Sequence, residues 1–170
     1  MKSLLLHVCC ACCSTSCIER LNQDYDVTLF FSNSNIFPKK EYDKRLEETR
    51  KVAKKLGLPL LEDDYCHEKW LESVKGLESE KEGGKRCVKC FEYNLLRVAK
   101  VAKSFDFFTT TLTVSPYKNS KTIFNLGSNF SKFLDIDFKK KDGFKRSIEL
   151  SKEYDLYRQN YCGCEYSKYQ

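Results

Sequence analysis

The sequence contains no apolar stretch near the length of a membrane span. Its first apolar run, Leu4-Leu5-Leu6, stops at His7, too short for the core of an export signal. Nucleotide and nucleophile signatures are missing too: there is no Walker P-loop, no Gly-rich dinucleotide fingerprint, no nucleophile elbow and no Ser-Gly-Gly pyrophosphatase loop. These absences argue against ATP-using, cluster-bearing thiolation enzymes of related architecture. No internal repeat, low-complexity tract or linker interrupts the 170 residues. Residues 1–170 therefore read as a single domain, large enough to bury a core without staples.

What is present in excess is sulfur. Ten cysteines in a chain of this size need a reason other than rescuing a small fold. With no export signal, the expectation is a cytoplasmic protein with reduced thiols used for metal or redox chemistry. They fall in three groups: Cys9, Cys10, Cys12 and Cys13; Cys87 and Cys90; Cys162 and Cys164. Such groups suit the ligand shell of a soft-metal centre assembled by folding. Cys87-x-x-Cys90 alone fits zinc, iron–sulfur or dithiol redox chemistry. Adjacent cysteines on extended chain point to opposite sides, so Cys9 and Cys10 are expected to serve two neighbouring centres rather than chelate one ion. The thiols in motifs exceed one tetrahedral site. A four-iron cluster with room for a second metal accommodates the surplus better than a structural zinc. Cys17 and Cys66 stand apart as ordinary thiols, and His7 reads as a packed histidine. Asp63 and Asp64 read as solvated turn residues, one of which could supply an oxygen ligand.

Hydrophobic periodicity predicts strands over Ser3–Cys9, Asp26–Asn33, Leu58–Leu61, Phe107–Val114 and Phe133–Phe138. Helices are predicted between them: from Ser14 or Ser16 to Leu21, then Lys39–Leu56 stopped by Gly57, Glu68–Val74, Cys87 to about Ser104, Lys121–Phe130, and a last one ending near Tyr154. Alternation with nearly all-apolar strands specifies an α/β class: a three-layer, Rossmann-like fold with a mainly parallel sheet and cysteine-rich loops forming a metallocluster site. Ligands in such sheets bind beyond the carboxyl ends of the strands, where the first cysteine group and Ser115-Pro116-Tyr117-Lys118 both fall.

The net charge is +6, with lysines clustered at Lys39-Lys40, Lys51-Lys54-Lys55 and Lys139-Lys140-Lys141 among twelve Phe and ten Tyr. Basic charge interleaved with aromatics is the composition of a nucleic-acid surface, although alone it reads more readily as solvated helix faces.

Four stretches in register carry a more specific signal: His7-Val8-Cys9-Cys10-Ala11-x-Cys13, Gly84-Lys85-Arg86-Cys87-x-x-Cys90, Thr109-Thr110-Thr111-Leu112-x-x-Ser115-Pro116-Tyr117-Lys118-Asn119 and Tyr157-Arg158-Gln159-Asn160-Tyr161-Cys162-Gly163-Cys164. Together they closely resemble the cobalamin-independent epoxyqueuosine reductases, QueH, over essentially the whole chain. The resemblance implies the last step of queuosine synthesis, reductive removal of the epoxide oxygen of epoxyqueuosine at the wobble position of a tRNA anticodon. It implies a [4Fe-4S] cluster beside a mononuclear iron, with ligands from Cys9, Cys10, Cys13, Cys87, Cys90, Cys162 and Cys164 and a carboxylate such as Asp64. The division of thiols between the two centres stays open. On this reading Tyr117, Lys118 and Tyr157 deliver protons or orient substrate, Arg158, Lys139, Lys140 and Lys141 meet tRNA phosphates, and a separate, ferredoxin-like protein supplies electrons. Two departures matter: Cys12 stands where the family has Pro, making it a bystander, and Cys66 stands where an Asp is common, removing an oxygen ligand or replacing it by sulfur. The alternatives are a zinc-stabilised RNA-binding module without redox activity and a metal-free dithiol oxidoreductase.

Overall fold

The computed structural model describes residues 1–168. Four strands, β1 (Lys2–Val8), β2 (Tyr25–Phe31), β3 (Leu60–Glu62) and β4 (Phe107–Thr110), form one sheet in the order β3-β2-β1-β4, with every pairing parallel. The helices are α1 (Ala11–Leu21), α2 (Lys39–Leu56), α3 (His67–Ser73), α4 (Lys85–Val101), α5 (Ser120–Gly127), α6 (Gly143–Glu153) and the short α7 (Glu165–Lys168). Side-chain alternation along β1 sorts them into layers. Leu4, Leu6 and Val8 pack with residues of α1 and α2, while Leu5 packs with Phe91, Leu95 and Val98 of α4 and Ile123 of α5. Because both faces are covered, β1 is nearly all apolar. Burying each such leucine contributes about 2 kcal/mol, and all three are fully buried. Gly57 ends α2 at φ +66°, the left-handed conformation that glycine adopts without Cβ strain.

Two expected strands are cut short, both by threonine. β4 ends at Thr110, whose hydroxyl accepts from the Leu112 N–H and caps a 3-10 turn over Thr111–Val114. Phe133–Phe138 meets the sheet at only one bridge, Phe108 with Phe133. Beyond it the Thr109 and Thr113 hydroxyls donate to the carbonyls of Leu134 and Ile136, so side chains take the places of ladder hydrogen bonds.

The connection leaving β1 steps toward β2, whereas the chain returning from β3 lands on the other side of β1, as β4. The crevice between the carboxyl ends of β1 and β4 is thus the switch point of the sheet, where ligands of such folds bind.

Candidate metal centre

Cys9 and Thr111 flank that crevice. The Cys9 N–H donates to Thr111 Oγ1 at 3.0 Å, and the same hydroxyl donates to Cys9 Sγ at 3.1 Å. One residue on, α1 begins at Ala11, earlier than the serines suggested, with Cys10 as its N-cap and the Cys10 sulfur accepting from the Cys13 N–H at 3.3 Å. The chain bends at Cys9 between strand and helix. This bend overturns the expectation that Cys9 and Cys10 diverge: the sulfurs of Cys9, Cys10 and Cys13 lie within 4.8 Å of one another. The opposite-sides rule holds for a continuing strand, and this strand has already ended.

Of the three thiols Cys10 is the one whose charged form is favoured. Hydrogen bonds from Cys13 and Cys9, with a further one from Gln159, hold Cys10 well below the ordinary thiol range. Donation to Cys10 pushes Cys9 up to about 12 and Cys13 higher still. Cys10 is thus the thiolate a metal would meet first, at the positive end of the α1 dipole.

The second group joins two distant segments. Cys87 and Cys90 occupy the first two turns of α4, and the Gly83 N–H donates to Cys87 Sγ at 3.2 Å. Burial pushes both thiols up. Cys162 and Cys164 are carried by the segment after α6, which α2 holds in place. Arg45, buried in α2, donates from Nη1 to the Cys162 carbonyl at 2.6 Å and from Nη2 to the Tyr161 carbonyl at 3.1 Å, while its Nε pairs with Glu41. The Phe37 N–H donates to the Gly163 carbonyl, and a Cβ at Gly163 would lie 3.2 Å from Arg45 Nη1, Asn35 Nδ2 and Ile36 Cγ1. Glycine between the two thiols permits that close seat. Behind them, His67 links α3 to α7 through Glu165 at 2.9 Å. Cys87, Cys90, Cys162 and Cys164 then line one cavity of about 150 Å³ with Trp70, Arg86, Tyr117 and Lys118.

Lys118 connects the two groups. Burial pulls its ammonium down, but charge on Cys162, Cys9, Cys13 and Cys10 outweighs this and raises its pKa. Tyr117 stands at the rim, 88% exposed, with its ring free to meet a ligand. His7 is a packed histidine, as expected: its ring bonds Thr110 Oγ1 and the Ser32 carbonyl, both at 2.9 Å, and burial lowers its pKa to about 4.

Other candidate residues lie elsewhere. The Tyr157 hydroxyl donates to the Glu41 carboxylate, and the residue is absent from the cavity lining. Asp64 is exposed beyond β3 and belongs neither to the three-sulfur group nor to the cavity lining, while its neighbour Asp63 is paired with Arg97. Cys12 Sγ donates to the Tyr157 carbonyl, and Cys17 Sγ to the Cys13 carbonyl within the core. Lys139 is engaged internally, its ammonium donating to the Thr113 carbonyl and to Ser120 Oγ. Lys140, Lys141 and Arg158 are exposed. Sequence reasoning gave no individual role to Thr111, Gln159, Arg45 or Gly163. Gln159 and Gly163 lie within or beside a cysteine motif and Thr111 within the Thr-rich stretch, whereas Arg45, in the middle of α2, carries no such signal.

The donor sets suit soft metals of different size. Thiolates on one tetrahedral ion, with metal–sulfur bonds of about 2.3 Å, stand roughly 3.8 Å apart. The Cys9-Cys10-Cys13 sulfurs, all within 4.8 Å of one another, could close onto such an ion and leave its fourth position open. Among the described residues no other trio of metal-binding side chains is as compact. The cavity thiols are therefore set wider, as a larger metal group needs. The idle Nε and Nη2 of Arg86, and the Trp70 indole N–H that faces the Cys90 sulfur, fit an anionic occupant beside them.

Fold and site together define a Rossmann-like α/β protein with a compact cluster of three thiols, able to hold a metal, at its sheet switch point. The family model of epoxyqueuosine reductase QueH matches residues 4–170. Among curated relatives, the epoxyqueuosine reductase QueH of Streptococcus pyogenes serotype M1 is 45% identical, over 97% of this chain and 70% of the relative. That of Thermotoga maritima is 38% identical, over 98% of this chain and 91% of the relative. A solved structure described as a predicted subunit of tRNA methyltransferase, from Methanocaldococcus jannaschii, shares the fold at TM-score 0.56 and 16% identity, over 88% of this chain and 76% of that one. The chain belongs to the epoxyqueuosine reductase QueH family, and it is an oxidoreductase of queuosine biosynthesis, a tRNA modification pathway. None of its helices is long and apolar enough to cross a membrane, among the described residues.

Proposed function

We propose that the chain, acting as a single domain, reduces epoxyqueuosine to queuosine at the wobble position of a tRNA anticodon, using a [4Fe-4S] cluster and an adjacent mononuclear iron. The observation that carries this reading is the pair of sulfur groups, one compact and one wider, whose charge acts on the same cavity-lining Lys118. Converting the epoxide to an alkene consumes two electrons and two protons and releases water, and no side chain supplies such electrons. The cluster at Cys87, Cys90, Cys162 and Cys164 would relay electrons from a ferredoxin-like donor, and the iron at Cys9, Cys10 and Cys13 would act as Lewis acid toward the epoxide oxygen.

The chain's own residues do the rest. Lys118, a cation in the cavity lining, would give a proton to the departing oxygen. Tyr117 offers an exposed ring on which a base splayed out of an anticodon loop stacks. The Tyr157 hydroxyl, tied to Glu41, orients the segment carrying Gln159, Cys162 and Cys164 and takes no proton-transfer role. Lys140, Lys141 and Arg158 contact tRNA phosphates, with Lys139 fixing their turn to the Ser115–Ser120 loop at the cavity mouth. Asp64, outside both thiol groups, would take no part in holding the metal.

Anaerobic purification followed by iron, sulfide and zinc analysis tests the cofactor reading, and incubation with epoxyqueuosine-containing tRNA and dithionite tests the reaction. More than four irons and about four sulfides per chain, with conversion to queuosine, support it. Zinc without sulfide would favour the zinc-stabilised RNA-binding module.

A further inference from the structure

Arg86 is buried to 1% exposure, and its guanidinium is only partly satisfied. Nη1 donates to the carbonyls of Leu77, Glu78 and Glu80, which fixes the plane of the group. Nε and Nη2 have no partner. The ring of Tyr166 covers the guanidinium at 4.9 Å, closing off one face. Across the same cavity Trp70 is fully buried, and its indole N–H, which finds no oxygen or nitrogen acceptor, is aimed at the Cys90 sulfur and favours its charged form. A guanidinium keeps its charge in any protein setting, and a buried charge with idle donors is costly unless an anion meets it. Both residues line the cavity that Cys87, Cys90, Cys162 and Cys164 share. The occupant their donors call for is therefore anionic, soft and in contact with the four thiols.

We infer that Arg86, through Nε and Nη2, and Trp70, through Nε1, donate hydrogen bonds to the sulfur atoms of the metal–sulfur group held in this cavity, and that Arg86 sets its reduction potential. The inference rests on the cluster reading above. Its direction follows from electrostatics: reduction adds a negative charge, and a fixed positive charge with N–H donors stabilises the reduced form more than the oxidised one, raising the potential. Arg86 is a positioning residue in this sense, acting on the electron store rather than on the substrate.

The test compares the wild type with Arg86→Met and Trp70→Phe, each reconstituted anaerobically with ferrous iron and sulfide, then titrated with dithionite at controlled potential while the visible absorption is read. Wild-type protein without acid-labile sulfide would remove the cluster reading and this inference with it. Given sulfide in the wild type, Arg86→Met is expected to load the same amount and, at a fixed potential, to show at least a tenfold lower ratio of reduced to oxidised form, about 59 mV for a one-electron couple. Trp70→Phe should shift the same way by less. If Arg86→Met does not fold, Arg86→Lys replaces the fork by a single compact donor and should lower the ratio too. Variants that load sulfide normally and titrate with the wild type would overturn the inference while leaving the cluster standing.

Discussion

The guanidinium of Arg45 donates to the carbonyl of Cys162 at 2.6 Å, across 117 positions of sequence. Through that bond the middle of α2 fixes the thiols contributed by the end of the chain. The same arginine reaches the Tyr161 carbonyl, and Glu41, its ion-pair partner, also accepts from Tyr157. One buried charge therefore holds both ends of the Tyr157–Cys162 segment, and the sheet holds α2. The cysteines of the first group need no such fastening, because they follow β1 directly.

Replacing Arg45 by Met leaves Glu41 with its pair removed and two carbonyls without donors. Loss of one partner of a buried pair costs on the order of 3 kcal/mol. The expected result is a lower urea midpoint and, in folded protein, reduced metal at the wider thiol group with the compact group still competent. Unchanged midpoint and metal content would show that the terminal segment is held by other contacts.

Cys10→Ala and Cys12→Ala form a contrasting pair. Both thiols are buried and two positions apart, yet Cys10 accepts from Cys13 and Gln159 inside the three-sulfur group whereas Cys12 donates to the Tyr157 carbonyl outside it. Titration with cobalt(II), followed by thiolate charge-transfer absorption, should show tight binding kept in Cys12→Ala and weakened at least tenfold in Cys10→Ala. Equal loss in both would mean that the compact group is not the metal site.

Much of this architecture is legible in the sequence, because it follows from short-range pattern. The apolar run of β1, the charge periodicity of α2 with its Gly57 stop, and the helix opened by Cys87 and Cys90 all appear where periodicity puts them. What periodicity misses is side-chain competition for backbone groups. Thr110 ends β4, and Thr109 and Thr113 keep Phe133–Phe138 from extending the sheet. The site divides similarly. Cysteine spacing reveals which thiols matter, but the convergence of Cys9 with Cys10 depends on a single bend, and the Arg45 bond spans most of the chain. Neither leaves a periodic trace.

The basic turn also separates by role. Lys139 spends its ammonium on Thr113 and Ser120, and burial lowers its pKa, whereas Lys140 and Lys141 are exposed. Changing Lys140 and Lys141 together to Gln should weaken tRNA binding and reduce the slope of log affinity against log salt by about two, with thermal stability unchanged. Lys139→Gln should instead lower the melting temperature. If all three substitutions act alike on affinity and leave stability alone, the structural role of Lys139 is wrong.

Tyr42 gives the fold a sensitivity to alkali. Its ring packs against Phe31 and Tyr65, its hydroxyl donates to the Asp63 carbonyl, and burial, with help from the negative charge of Asp63, pushes its pKa up to about 12 from an ordinary 10. An acid whose folded pKa is raised favours folding below its unfolded value, because both states are then neutral. Between pH 10 and 12 the unfolded chain gives up the proton that the folded one keeps, so stability falls as pH rises through that window. Tyr42→Phe removes the titrating group and one hydrogen bond. The variant should be less stable than the wild type at pH 8, and the gap should narrow steadily above pH 10 as measured by urea unfolding. A gap that stays constant to pH 12 would mean that the phenol is already exposed to solvent in the folded protein.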